Sequence, residues 1–342
     1  MFTRIVETAF MPIARVLQYD YVEKPMRPLG TNNTMKIARA YNRLVYGKYY
    51  EYRKDQYLHH FNELIRENGQ PVSAVSEIRD GWALDKSVTL PHLKQLVNDA
   101  GEIIKERGRV KRTDFGRPWF QEIPIDDLFV KYPSLLDFAT SSDVLSTVCG
   151  YLGFVPVLSA ALPNGLRFNE SWAGHDDAPP GFFRGSQLFH IDYHDTPMAY
   201  VIVLLNDITI ENGPFCFFPD TISQKVTKTL NYRTRGKPHR LTDEDVYSVA
   251  PESKLIKVCY PAGTVLFLDP SRCFHFGSRN AVNPRYALMY AFVSPCRTDF
   301  GEVLLNRKLY PVHDGDSRLR RMVLRKEYTD RRILLADSRT HG

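Results

Sequence analysis

Two short stretches carry the residues with the most chemical reach. SQLFHIDYHD, residues 186–195, sets His190 and Asp192 two apart, and CFHFGSRN, residues 273–280, supplies His275. In an extended strand, positions i and i+2 project to one face, so the imidazole and the carboxylate of the first pair can converge on a point. Two histidines and one carboxylate form the facial triad that holds iron(II) and leaves three coordination positions open. Two of those positions suit the keto and carboxylate oxygens of a 2-oxo acid, and the third suits dioxygen. An H-x-D pair is a weak signal alone, and the chain has a second one at His175-Asp176-Asp177. That pair lies in SWAGHDDAPPGFF, whose Gly, Asp and Pro read as a loop without the rigid support that metal geometry needs.

A 2-oxo diacid also carries a distal carboxylate, which needs a partner once buried. Arg285 in NPRYALMY, ten residues beyond His275, opens the next strand and offers a bidentate guanidinium. Gln187, three residues before His190, can add a hydrogen bond. Taken singly, Arg285 reads as a surface ion pair and His275 as a satisfied core histidine; their order and spacing favour a site.

The elements that must position these residues are mostly short strands. VPVLSAAL, SQLFHIDYHD, AYVIVLLNDI, PFCFFP, GTVLFLD, CFHFGS and YALMYAFVS are rich in β-branched and aromatic residues and bounded by Gly, Pro, Asn and Asp. Little helix intervenes, except after Thr242, where Thr242 and Asp245 stand as a capping box. Such a pattern predicts a mainly β protein with flanking helices, its core a double-sheet jelly roll. Helices are expected before the strands: an apolar face over residues 2–17, the tyrosine-rich AYNRLVYGKYYEYRKDQYLHHFNELIREN, PHLKQLVNDAGEIIKERG, and PSLLDFATSSDVLSTVCGYLG ending at Gly153. Three parts follow: a helical extension over 1–75, a jelly-roll domain over 76–300 and a basic segment over 301–342.

Composition narrows the class. The 342 residues are 43% hydrophobic and 25% charged, an ordinary globular balance. The formal charge of +6 suits anionic ligands without demanding nucleic acid. Tyrosines interleaved with Arg and Lys could mark a nucleic-acid surface, but helical spacing favours a packed helix with one solvated face. Cys149, Cys216, Cys259, Cys273 and Cys296 are odd in number and lack C-x-x-C spacing, which fits reduced thiols in a cytoplasmic protein. No run of about 18 apolar residues is present, so no membrane span is expected. Glu7 and Pro12 interrupt what would be the core of a signal peptide.

Four stretches together resemble the phytanoyl-CoA dioxygenase-like family of iron(II)/2-oxoglutarate oxygenases. They are QLFHID (187–192), LNDITIENGPFCFFP (205–219), PAGTVLFLD (261–269) and HFGSRNAVNPRYAL (275–288), the last being the most specific. The similarity runs roughly from Asp80 to Pro295. It implies a double-stranded β-helix of the cupin type, with iron(II) at His190, Asp192 and His275. It also implies the distal carboxylate of 2-oxoglutarate at Arg285, assistance from Gln187, and a turn beside the metal shaped by Asn280. The implied reaction consumes dioxygen and 2-oxoglutarate, releases succinate and carbon dioxide, and hydroxylates an unactivated C–H. Pro219-Asp220-Thr221 departs from the family's usual P-G-S-H, and Phe215 stands where some relatives bind co-substrate through Thr. A carboxylate at Asp192, rather than Gly or Ala, disfavours a halogenase.

The substrate is not named by these motifs. SQKVTKTLNYRTRGKPHRL, residues 223–241, holds Lys225, Lys228, Arg233, Arg235, Lys237 and Arg240 without an acidic residue. It is expected to be a surface loop, and if it folds over the pocket it predicts a small anionic substrate. Competing readings are a protein or nucleic-acid hydroxylase or demethylase of the same superfamily, and a non-catalytic jelly-roll binding protein. The last has no use for Arg285 and Gln187 beside a triad.

Overall fold

The computed structural model describes residues 30–69, 76–107, 118–159, 165–172, 181–301 and 310–324, with isolated positions between them. The helix expected over 2–17, the His175-Asp176-Asp177 stretch and the chain beyond 324 lie outside the described residues.

Two antiparallel sheets hold the centre. The larger runs β1 (Trp82–Asp85), β8 (Val265–Leu268), β5 (Ala199–Leu204), β10 (Arg285–Val293), β4 (Leu166–Ser171) and β2 (Phe120–Ile123), while β3 (Val157–Leu158) pairs with the far end of β10. The smaller runs β7 (Ile256–Lys257), β6 (Cys216–Phe217) and β9 (His275–Phe276). An isolated bridge between His190 and His275 extends it by one partner.

The larger sheet is covered on both faces, which explains why its central strands read as apolar runs. Val201, Val203, Phe267, Leu288 and Tyr290 share a core with residues of α2 (Leu93–Arg107) and α4 (Ser142–Leu152). On the other face, Ile202, Leu204, Leu266, Ala287 and Met289 pack with Phe217 of the smaller sheet. Outside that smaller sheet, Phe189, Phe218, Phe274 and Phe276 bury against α5 (Asp220–Thr229) and α6 (Asp243–Tyr247) through Val226 and Val246. Thr242 caps α6 with Asp245 in the expected reciprocal box.

The long first helix, α1 (Gly30–Asn68), docks differently. Its buried positions include Thr34, Asn42, Arg53 and Gln56, so hydrogen bonds do much of what apolar contact does elsewhere. Arg53 donates to the carbonyls of Val155, Pro156 and Met322, the last in α7 (Arg318–Leu324).

Several expectations are corrected. SQLFHIDYHD is not a continuous strand: 185–187 form a 3-10 turn, and only residues 189 and 190 make bridges. The stretch after Pro133 is two helices, α3 (Ser134–Asp137) and α4, although α4 does end at Gly153 in a left-handed conformation, φ 74°. The basic segment is no loop at its start, since Asp220–Thr229 is helical. Strand β4 went unanticipated, because LRFNES alternates apolar residues with Arg, Asn and Ser instead of showing an apolar run.

Candidate metal centre

The smaller sheet and the loop after its bridge bring the three expected residues together. The backbones of His190 and His275 exchange both hydrogen bonds, 3.1 and 2.9 Å, which sets their rings side by side at 4.4 Å between centroids. Two residues on, the Asp192 amide donates to the Pro270 carbonyl at 2.8 Å, which turns the carboxylate back toward the rings. Asp192 Oδ1 lies 3.8 Å from His190 Nε2 and 4.0 Å from His275 Nε2. One ligand atom from each residue falls within 4.8 Å of the others. Ligands about 2.1 Å from a shared ion stand about 3 Å apart at a right angle, so the three need to draw in by roughly an ångström.

Each ligand is already oriented by the protein. His190 Nδ1 donates to the Leu188 carbonyl and His275 Nδ1 to the Cys273 carbonyl, both at 2.9 Å. Those bonds assign the proton to Nδ1 and leave each Nε2 lone pair for a cation. Burial pushes both imidazole pKa values down and keeps the rings neutral. Asp192 Oδ2 accepts from the Tyr200 hydroxyl at 2.6 Å, which leaves Oδ1 for the cation. Burial works to raise the Asp192 pKa, but the net shift is downward, and the Tyr200 hydroxyl donated to the carboxylate favours its ionised form. The carboxylate therefore sits below the usual range and stays ionised.

Tyr200 was missed in the sequence. The available signal was alternation: on β5, Tyr200, Ile202 and Leu204 share the face turned toward the smaller sheet, and Tyr200 carries that face's polar tip. The loop it serves is also held from outside. His194 Nδ1 pairs with Asp299 at 2.7 Å, Arg297 grips Asp299 through two bonds of 2.9 Å, and Asn42 of α1 donates to the carbonyls of Arg297 and Asp299.

Arg285 opens β10 opposite Ser171 and is 7% exposed. Its Nη2 donates to Ser278 Oγ at 3.1 Å and lies 3.4 Å from Ser171 Oγ, while its Nε has no hydrogen-bond partner. Among the described residues no carboxylate stands within ion-pair distance of it. Burial lowers its pKa to about 10, which still leaves it charged near neutrality. Gly277 makes room for this arrangement, for a Cβ there would stand 3.2 Å from the Arg285 Nη2. A buried, incompletely bonded guanidinium beside two hydroxyls has the chemistry to receive a carboxylate.

The remaining expected residues have structural ties. Gln187 is buried, donates to the Ser278 carbonyl at 3.0 Å and accepts from the Arg184 amide at 3.2 Å, so it joins the loop before the metal to the turn after it. Asn280 is exposed at that turn with φ 51°, a left-handed conformation that Asn tolerates. Arg279 beside it clamps Asp243 bidentately at 2.8 and 2.9 Å and lies 3.5 Å over the Phe276 ring. Phe215 stacks on His275, 5.3 Å between centroids. The charges of the basic segment divide. Lys225, Lys228, Arg235 and Lys237 face solvent, whereas Arg233 and Arg240 turn inward to the carbonyls of Ile191 and Gly185.

No protein-family model matches the chain, and no curated protein matches it. Among solved structures it is similar to EctD from S. alaskensis, with 2-oxoglutarate and 5-hydroxyectoine, at 16% identity over 63% of this chain and 73% of that one, TM-score 0.42. It is similar to the epimerase SnoN, in complex with Fe3+, alpha ketoglutarate and nogalamycin RO, at 12% identity over 75% and 96%, TM-score 0.42. A third is HygX from Streptomyces hygroscopicus, with nickel, 2-oxoglutarate and hygromycin B, at 14% identity over 63% and 83%, TM-score 0.37. Likeness at this level assigns no activity to the chain by itself.

Proposed function

We propose that this chain is an iron(II)/2-oxoglutarate-dependent oxygenase of the phytanoyl-CoA dioxygenase-like kind, built on a double-stranded β-helix over residues 76–300. In this reading it hydroxylates an unactivated C–H of a small anionic molecule and releases succinate and carbon dioxide. One observation carries the proposal. Two neutral imidazoles and an ionised carboxylate turn their free atoms to one point, and a buried arginine without a carboxylate lies in the same inter-sheet space.

His190 Nε2, His275 Nε2 and Asp192 Oδ1 would hold the iron, and the donor set of two nitrogens and one oxygen fits iron(II). Bound iron with 2-oxoglutarate supplies the oxidising power drawn from dioxygen. Arg285, Ser171 and Ser278 grip the distal carboxylate and fix which way the co-substrate lies. Tyr200 keeps Asp192 from swinging to a second coordination mode. Ile202, Met289 and Phe215 wall the space with apolar surface and limit water there. Helix α1 braces the domain, and α7 packs against it.

Anaerobic addition of iron(II) and 2-oxoglutarate should give the weak visible charge-transfer band of the chelate. His275→Ala should abolish it, and Arg285→Gln should demand far more 2-oxoglutarate to develop it. A band of unchanged intensity and midpoint in both variants rejects the proposal.

A further inference from the structure

One polar pair on the inner face of β4 has no part in the scheme above. The pairing of β4 with β10 sets Ser171 opposite Arg285, Asn169 opposite Ala287, and Arg167 opposite Met289. Leu166 and Phe168, which alternate with them along the strand, belong to the helix-side core, whereas Ala287 and Met289 belong to the inter-sheet core. Arg167, Asn169 and Ser171 therefore form a polar file along the wall of the space that faces the metal ligands.

Two members of that file are under-bonded. Asn169 is 5% exposed, and among the described residues its Oδ1 has no hydrogen-bond partner. The Arg167 side chain is 13% exposed, and its Nε likewise has none. What Arg167 does touch is weak. Its Nη1 lies 3.8 Å from Glu122 Oε1, a carboxylate 44% exposed to solvent, and its Nη2 lies 3.6 Å from the Met289 sulfur, a poor acceptor. A guanidinium in this setting gains most from an oxyanion that can take two parallel hydrogen bonds. The Asn169 amide beside it can turn either its oxygen or its nitrogen to the same ligand.

Distance separates this pair from the co-substrate. Residues 167 and 171 are four apart on one strand, about 13 Å at roughly 3.4 Å per residue. The carboxyl carbons of a five-carbon diacid stand only about 5 Å apart. A co-substrate tied to Arg285 at one end and to the metal at the other leaves Arg167 for a second anion.

We propose that Arg167 and Asn169 form the subsite for an oxyanion, carboxylate or phosphate, carried by the molecule that is oxidised. The inference rests on the oxygenase reading and names the part of the substrate that sets specificity. A neutral molecule would leave the Arg167 guanidinium buried and under-bonded, so discrimination against uncharged analogues follows.

The test uses the full chain loaded with manganese(II) and saturated with 2-oxoglutarate. Sodium acetate and sodium sulfate are titrated calorimetrically at ionic strength held constant with chloride. At least one anion should bind saturably, acetate indicating a carboxylate subsite and sulfate a tetrahedral one. Arg167→Gln should weaken that binding at least tenfold, Asn169→Ala should weaken it less, and Arg167→Lys should retain part of it. The affinity for 2-oxoglutarate should stay within about twofold in all three. No saturable anion binding in the wild type, or equal binding in Arg167→Gln and Asn169→Ala, overturns the proposal. So does a tenfold loss of 2-oxoglutarate affinity in Arg167→Gln, which would make Arg167 a co-substrate ligand. Failure of the wild type to bind 2-oxoglutarate at all is a separate result, and it sinks the oxygenase reading instead.

Discussion

The candidate metal ligands His190, Asp192 and His275 and the inner face of β4 and β10 lie in one space, yet they are finished to different degrees. At the ligands, every atom not aimed at the cation has a protein partner: Leu188 and Cys273 carbonyls for the two Nδ1 atoms, and the Tyr200 hydroxyl for Asp192 Oδ2. On the inner face, Arg285 Nε, Arg167 Nε and Asn169 Oδ1 have none among the described residues. A buried polar atom without a partner is costly. Two of these are guanidinium donors, which an oxyanion could satisfy, and the third is an amide oxygen that needs a donor or a turned amide. The three candidate ligands are oriented by protein hydrogen bonds, whereas the two guanidinium groups of this wall are left incompletely bonded.

The contrast can be broken most sharply at Arg285. Arg285→Met should lower 2-oxoglutarate affinity by about 100-fold, the loss expected for charge-assisted hydrogen bonds to a carboxylate. Metal affinity should not change, and the ligand-free protein should melt at the same temperature or higher, because an uncompensated buried charge is removed. A marked fall in melting temperature would mean that Arg285 is a structural residue. Arg279→Met should do the opposite: it breaks the bidentate pair with Asp243 and should lower the melting temperature.

Tyr200→Phe tests the finished side. It leaves Asp192 Oδ2 without its donor, and metal affinity should fall about 10-fold to 100-fold, the range for losing an outer-sphere partner. Competition with a chelator measures it, and a loss under threefold would show that Tyr200 does not orient Asp192. A milder change is Gly277→Ala. The added Cβ crowds the Arg285 Nη2, so 2-oxoglutarate affinity should fall by several-fold while metal affinity holds.

The smallest effect concerns pH. Burial lifts the Asp269 carboxyl to about 6, against the pull of its bonds from Ser271 and Tyr151. The folded chain therefore holds this proton where the unfolded chain, with a carboxyl near 3.9, has released it. On this account stability is greatest at low pH and declines as pH rises from about 4 to about 6. Asp192 and Asp299, held below the usual range, contribute with the opposite sign. Urea midpoints at pH 4.5 and 6.5 should thus shift upward with pH more in Asp269→Asn than in the wild type. An identical shift would remove Asp269 from the balance.

Much of the architecture could be read from patterning. β5, β8 and β10 appear as apolar runs because both faces of the larger sheet are covered, and the α4 terminus at Gly153 follows from the left-handed residue it needs. β4 escaped for the reason that makes it interesting: polar residues occupy its inward positions, so the strand lacks the apolar signature of its neighbours. SQLFHIDYHD looked like a full strand from its aromatic and β-branched content, but only two of its residues pair. The helix over Asp220–Thr229 was hidden by its Lys, Thr and Ser, although Val226 and Ser223 bury on one face.

By itself the sequence determined the types and order of the candidate residues: an H-x-D pair, a later histidine, and an arginine ten residues beyond. Spacing along a chain keeps such residues within reach of one another, although here the Asp192–Pro270 backbone bond, and not a continuous strand, turns the carboxylate toward the imidazoles. Only the tertiary structure decided the rest. It chose the carbonyls that set both histidine tautomers, made Tyr200 the partner of Asp192, and put Arg167, Asn169 and Arg285 on one wall. Those relations join residues distant in sequence, and sheet register, which packing of the buried faces fixes, brings them together.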